Sequence, residues 1–570
     1  MPEEAGTLGG FGALDWGVVV VVLVAVTLVG HRLAGRQASI RDFFLGGRRL
    51  PWYAVAASIV ATEISAVTLV GLPSVVFREG GDLTYLQIGL VGSLVARALI
   101  AVFLVPAYYE REIYSPYDYM GERLGGRTRG LTTALFALGG VLAQSARVYL
   151  IAVVLEVILH RELAWVEAAT GLSPLVSAVA AITCVAVLWT WMGGIATVVW
   201  TDALLFALFL GAVAIALVVV VRGVDGGARE VLEVGAEAGK LRLFDLDPSP
   251  RKAYTLWAAL FAQSWAGVGA YGVDQLMAQR LFCCRGVREA RRAILASYLG
   301  MGITTLVGLT GVALYAWYRQ HPLSGEALAL YTEKPDRIFP IFVLEAVPAG
   351  LKGLILAGAF AAAISSLDSI LAALSQTVLS AVWLPWRARI GARDDPARAL
   401  AVSRMLVLGF GVLLGLLAVA AELAASHHGS VLDLALAMAG YTQGALLAAF
   451  ALAFGRREGS RDLADGLLWA APLSLTAVLS VAWPQAWARW VVLAAGALAI
   501  ALWCATRLRR EGARALGGLA VLAAATGLLA WNHARGGLLA WPWFVPVGAV
   551  YTYVLARLLA RRTNPAVETP

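Results

Sequence analysis

Five residues inside one apolar stretch carry the most chemistry in this chain: Ser365-Ser366-Leu367-Asp368-Ser369, embedded in LKGLILAGAFAAAISSLDSILAALSQTVLS. Helical spacing sets Ser365, Asp368 and Ser369 on one face, at i, i+3 and i+4. A carboxylate in a membrane helix costs about 2.5–3.5 kcal/mol on insertion scales, so it normally has a partner or a task. Hydroxyls and carboxylates are hard oxygen donors, and their natural partner is a hard cation. The cluster therefore reads as an ion site of the kind coupled transport needs. The alternative for the serines is donation back to a carbonyl one turn earlier, common in membrane helices.

The elements that must hold this cluster are membrane helices. Of 570 residues, 60% are hydrophobic and only 14% charged, whereas soluble domains are about 45–50% apolar and about 25% charged. Apolar runs of about 18 residues or more recur along most of the length, which implies an all-α integral membrane protein. The first run, Trp16 to Gly30, follows MPEEAGTLGG. Without a basic n-region or an A-x-A site it is expected to be a retained helix, not a signal peptide. Four cysteines show no disulfide frame or metal spacing; Cys283 and Cys284 are adjacent in an Arg-rich loop.

The net charge of +8 does not point to nucleic acid, because the arginines fall in alternate loops. HRLAGRQASIRDFFLGGRR, QRLFCCRGVREARR, WRARIGARDDPAR and TRLRREGAR are basic, while REGGDL, HRELAWVEAATG and WPQAWAR are poor in Arg and Lys. The positive-inside rule then puts the N-terminus outside and the C-terminus in the cytoplasm, with about 13–15 helices between. The segment from Arg222 to Lys252 mixes both signs, which a long outside loop tolerates. A phosphate loop, H-E-x-x-H, G-x-S-x-G and clustered histidines are all missing from the sequence. No ATP use is expected, and an ion gradient is the expected energy source. His427 and His428 are expected to face water in an outside turn.

Two spans are interrupted. Trp52 to Phe77 contains Thr62-Glu63-Ile64-Ser65 and then Gly71-Leu72-Pro73; Thr255 to Gln279 contains Gln263-Ser264-Trp265-Ala266-Gly267-Val268-Gly269. They are the first and sixth helices when counting starts after the leading one. Broken helices at matching places of two five-helix halves point to an inverted-repeat transporter, with unwound carbonyls free to bind a cation. Gly and Pro are common in membrane helices and often only kink them, and each interruption alone is compatible with that.

At these residues the chain resembles the solute–sodium symporters, which have the LeuT-type fold. RDFFLGGRRLPWYAVAAS is similar to the entry of that family's first core helix, and GGIATVVWTDALLF to its fifth. GVDQLMAQRLF resembles the end of the sixth, and DRIFPIFVLEAVPAGLKGLILAGAFAAAISSLDS the eighth. The resemblance implies a 5+5 inverted repeat over residues 51–455. Around it would lie a leading segment and helix (1–50), about four further helices (456–560) that serve packing, and a disordered cytoplasmic tail (561–570).

The resemblance also implies a sodium site between the first and eighth core helices, made by the carbonyls of Ala61, Ile64 and Ala362 and the hydroxyls of Ser365 and Ser366. Asp202 matches an acidic position in the family's fifth helix where some members hold a second sodium. Here Asp368 and Ser369 would complete that site, unless Asp202 instead braces a neighbouring helix by a salt bridge. A proton held by one of the two carboxylates is a further alternative.

For the substrate, SAVTLVGLPSVVF is similar to the branch that moves monocarboxylates, vitamins and iodide. Arg147 lies in the third core helix, where one sialic-acid-transporting group uses an Arg against a carboxylate, a contact suited to a guanidinium. A packing pair of Arg147 with Glu63, Glu156 or another internal acid is the alternative. Glu63 and Thr68, at the first-helix break, are candidate cavity residues, with Tyr85, Gln87, Gln144, Gln263, Trp265, Tyr441, Thr442 and Gln443. Arg97 is expected to be a structural pair or a snorkelling residue. The expected function is sodium-coupled import of a small carboxylate or other anion by alternating access, in the inner membrane of a bacterium. A sugar or amino-acid symporter, a proton-coupled member of the fold, and a non-transporting sensor are the alternatives.

Overall fold

The computed structural model describes residues 10–34, 45–64, 66–110, 113, 115–192, 195–391, 396–425, 431–454 and 461–560. Ser65, the His427-His428 pair and the tail 561–570 lie outside them. Among the described residues there are helices and no strand, only an isolated bridge between Leu50 and Cys284. Among the described residues twelve helices are long and apolar enough to cross a membrane, or thirteen with one bent pair. The leading helix Ala13–Ala34 and the segmented run 258–282 fall outside that count.

The bent pair is the first core span. Trp52–Glu63 and Ala66–Phe77 are separate helices inclined at 54°. Ile64, at the break, adopts extended backbone (φ −87°, ψ 100°), so the last carbonyls of the first half lose their intrahelical partners.

The sixth span breaks elsewhere than the sequence suggests. Residues 258–273 stay helical, as two π-helical stretches around Ser264–Val268. The chain unwinds at Asp274 (φ −69°, ψ 129°), whose carboxylate accepts from the Leu276 amide at 2.9 Å and caps the short helix Gln275–Phe282. The first glycine of QSWAGVG serves close packing. A Cβ on Gly267 would lie 2.6 Å from the Cβ of Ala96, in the second core span Tyr85–Tyr109.

The fifth core helix, Ile195–Gly223, packs between the first and the eighth, Leu351–Val378. This is what brings Asp202 to the serine cluster. The third core helix, Gly126–Ile158, packs on the tenth, Val431–Phe454. The leading helix lies along the fifth and eighth, and its buried Asp15 accepts from the amides of Gly350 (2.6 Å) and Gly353 (3.1 Å). A carboxylate there complements the positive end of the eighth helix.

At the opposite end of the sixth span, Cys283 and Cys284 are buried, not loop-exposed. The Leu50 amide donates to the Cys283 carbonyl (3.1 Å) and the Tyr109 hydroxyl to the Cys284 carbonyl (3.0 Å). Of the late helices, Phe544–Leu559 packs on both the tenth core helix and Arg461–Ala482.

Candidate functional site

The first cluster lies where the first span breaks against the eighth. Ala61, Ile64, Ala362 and Ser365 line one small cavity with Leu205, Phe206 and Phe209, about 10 Å³ in volume, close to what one water or small ion fills. Ser366 does not line it, and its hydroxyl donates back to the Ala362 carbonyl at 3.2 Å. Ser365 donates to Asp202 Oδ1. A hydroxyl that donates its one proton keeps its lone pairs, so both contacts leave the oxygens able to face a cation.

The second cluster is organised around a residue that the sequence reading missed. Arg280, in the capped half of the sixth span, is 1% exposed and inserts its guanidinium among Asp202, Ser58 and Ser369. Nη2 donates to Asp202 Oδ2 at 3.0 Å and also to the Ser369 hydroxyl. Nε donates to the Ser58 hydroxyl at 2.8 Å, and Ser58 donates on to Asp202 Oδ2 at 2.6 Å. Ser369 in turn donates to Asp368 Oδ1 at 3.2 Å. Asp202, Asp368 and Ser369 therefore do converge, but around a guanidinium, the salt-bridge arrangement. No group of three or more His, Cys, Asp or Glu with metal-site geometry occurs among the described residues.

The third feature is a cavity of about 210 Å³ between the two breaks. It takes in Glu63, Thr68, Tyr85, Gln144, Arg147, Gln263, Thr442 and Gln443, and adds Tyr271 and Asp274 from the sixth span and Trp541 from beyond the core. Three expected members are elsewhere. Gln87 is buried and donates to the Tyr254 carbonyl at 2.9 Å, tying down the loop after the fifth helix. Trp265 is 44% exposed on the outer face of its helix. Tyr441 faces the late helices, where its hydroxyl accepts from Trp483 and its ring meets Phe544. Aromatic and amide residues thus go wherever a helix face needs them, so type alone could not sort these.

Glu63 is already matched. Arg97, fully buried, pairs with its Oε2, and the Tyr271 hydroxyl donates to Oε1 at 2.6 Å. The Arg97 guanidinium also lies over the Tyr271 ring, 4.4 Å from its centre. The expected packing pair of Arg147 with Glu63 or Glu156 is not formed; Glu156 lies near Arg337 (3.9 Å). Among the described residues Arg147 has no hydrogen bond or ion pair, and it is half-buried on the cavity wall.

Comparison with known proteins gives the family. The description "Sodium:solute symporter family" matches residues 43–458. The chain belongs to the sodium:solute symporter family. Among its relatives, the human sodium/iodide cotransporter is 30% identical over 459 residues, covering 79% of this chain and 67% of that protein. The sodium/sialic acid symporter SiaT of Proteus mirabilis is 26% identical, over 82% of this chain and 90% of its own. A Na+-coupled sialic acid symporter solved in a substrate-bound, outward-open state superposes with a TM-score of 0.72 at 22% identity, covering 97% of this chain and all of that one. The fold is therefore the LeuT-like one, in a multi-pass membrane protein with about twelve spans, and the coupling ion of the symporter is sodium.

Proposed function

We propose that this symporter carries a small organic carboxylate together with sodium. Arg147 carries the reading: a guanidinium in no direct ion pair or hydrogen bond among the described residues, on the wall of a cavity bounded by both helix breaks. An unpaired charge at that depth is costly, and a carboxylate would satisfy it through two parallel hydrogen bonds. The neighbouring pocket at Ala61, Ile64, Ala362 and Ser365 would hold the sodium, bridging the first and eighth helices so that ion binding biases the bundle toward one arrangement. Gln144, Thr68 and Gln443 would supply orienting polar contacts.

The loop charges support an outside N-terminus and a cytoplasmic C-terminus in a bacterial inner membrane. In that orientation the cavity reaches the outer end of the bundle near Tyr85, Leu436 and Trp541, while the Leu50–Cys283 and Tyr109–Cys284 contacts close the inner end. This is the outward-facing arrangement of an alternating-access cycle.

The test is ligand-dependent stability of the purified protein. Sodium, but not potassium, should raise its melting temperature, and Ser365→Ala should remove that response. Arg147→Ala should keep the sodium response and lose the further shift from carboxylates. A wild-type protein that ignores sodium and responds to pH would overturn the ion assignment. One that takes neutral sugars and no carboxylate would overturn the substrate class.

A further inference from the structure

We infer that the solute is a zwitterion, its carboxylate held by Arg147 and its ammonium by Asp274. This inference rests on the carboxylate reading and narrows it. Four charged side chains line or border the cavity: Glu63, Arg97, Arg147 and Asp274. Glu63 and Arg97 cancel each other, with Tyr271 closing the set. That leaves one positive and one negative group, Arg147 from the third helix and Asp274 from the break in the sixth. Both are half-buried, facing the same space.

These two attract each other across the cavity but form no direct ion pair. Among the described residues no cation approaches Asp274 within 4.0 Å, and no anion approaches Arg147 that closely. Asp274 accepts one backbone amide, from Leu276, and Gln443 approaches its carboxylate. A carboxylate offers about four lone-pair sites, so it retains capacity toward the cavity.

A plain carboxylate would satisfy Arg147 but face a second carboxylate across the cavity, a like-charge arrangement that costs affinity. A ligand carrying both signs satisfies both walls. Its cationic end would also meet Tyr85, an aromatic ring of the kind that suits primary and quaternary ammonium groups alike. The volume of about 210 Å³ lies below the ~300–1,000 Å³ of pockets for drug-sized ligands, which fits a small amino acid or betaine.

Matched pairs of probes separate the cases: α-amino acids, their des-amino carboxylates, N-trimethylated betaines and the corresponding amines. Each is read by sodium-dependent uptake into proteoliposomes and by thermal shift of the full chain. The wild type should prefer a zwitterion over its des-amino partner by about 10- to 100-fold, the range of a charge-assisted hydrogen bond. Asp274→Asn should erase that preference and admit the plain carboxylate, while Asn still caps Gln275–Phe282. Unchanged sodium-dependent stabilisation in this variant shows that it is folded. The betaine and primary-amine arms tell which ammonium fits. Equal or better binding of the des-amino carboxylate, or an unchanged ratio in Asp274→Asn, overturns this inference and spares the carboxylate reading. Binding of amines alone, or silence of the whole panel beside an intact sodium response, overturns both.

Discussion

The Asp202–Arg280 pair offers the sharpest test of how the buried charges are balanced. Both side chains are essentially removed from solvent, at 0% and 1% exposure. Removing one partner of a buried ion pair costs about 3–5 kcal/mol, because the other charge stays behind. Asp202→Asn keeps the shape and removes the charge. It leaves the guanidinium with the Leu276 carbonyl, two hydroxyls and Asp368, reached through Ser369. That remaining carboxylate puts the expected loss at the lower end, about 3 kcal/mol, or roughly a hundredfold in the unfolding equilibrium. Arg280→Met leaves two neighbouring carboxylates without a cation and should fall near the upper end, about 5 kcal/mol. The double variant should lose less than the two single losses added together, the signature of a direct pair. Detergent unfolding measures all three, with the sodium dependence of uptake beside it. The reasoning is refuted if Asp202→Asn stays within about 0.5 kcal/mol of wild type and instead lowers the Hill coefficient for sodium. That outcome would mean Asp202 serves a mobile ion.

Two further predictions concern the scaffold. Gly267→Val would push a side chain into Ala96, only 2.6 Å from the ideal Cβ position; overpacking of this kind should cost about 1–3 kcal/mol, measured by thermal unfolding in detergent. Asp15→Ala should remove the two bonds to the Gly350 and Gly353 amides and cost about 0.5–2 kcal/mol, the range of a lost helix cap, with the sodium response retained.

Much of the architecture can be read along the chain because membrane spans are local. Apolar length marks most helices, and Thr62-Glu63-Ile64 marks the first break by placing polar groups at mid-span. The sixth break is displaced because glycine is ambiguous: in QSWAGVG it lets the second span approach, as at Gly267 and Ala96. A better signal was present at Asp274, an N-cap residue type inside an apolar run. The site itself is less legible. Ser365 and Asp368 stand out as polar groups in a hydrophobic helix, but Arg280 belongs to a different helix, and nothing in QRLF tells that its guanidinium meets Asp202. Trp541 shows the same limit from the far end of the sequence. It lies among helices expected to serve packing, yet it lines the cavity.

Arg280 has a consequence for what can drive the cycle. A guanidinium tethered to the sixth span neutralises Asp202 without crossing the membrane, so with it in that position only a sodium held at the proposed pocket of Ala61, Ile64, Ala362 and Ser365 would be released inside. One sodium with a zwitterion moves one net positive charge per turnover. A membrane potential of 100 mV then contributes about 2.3 kcal/mol, enough for roughly 50-fold accumulation before any sodium gradient is counted. One sodium with a simple anion moves no net charge, and voltage contributes nothing. The choice between a protein-borne and a mobile cation beside Asp202 thus decides, together with the charge on the solute, whether the cell's membrane potential can power uptake at all.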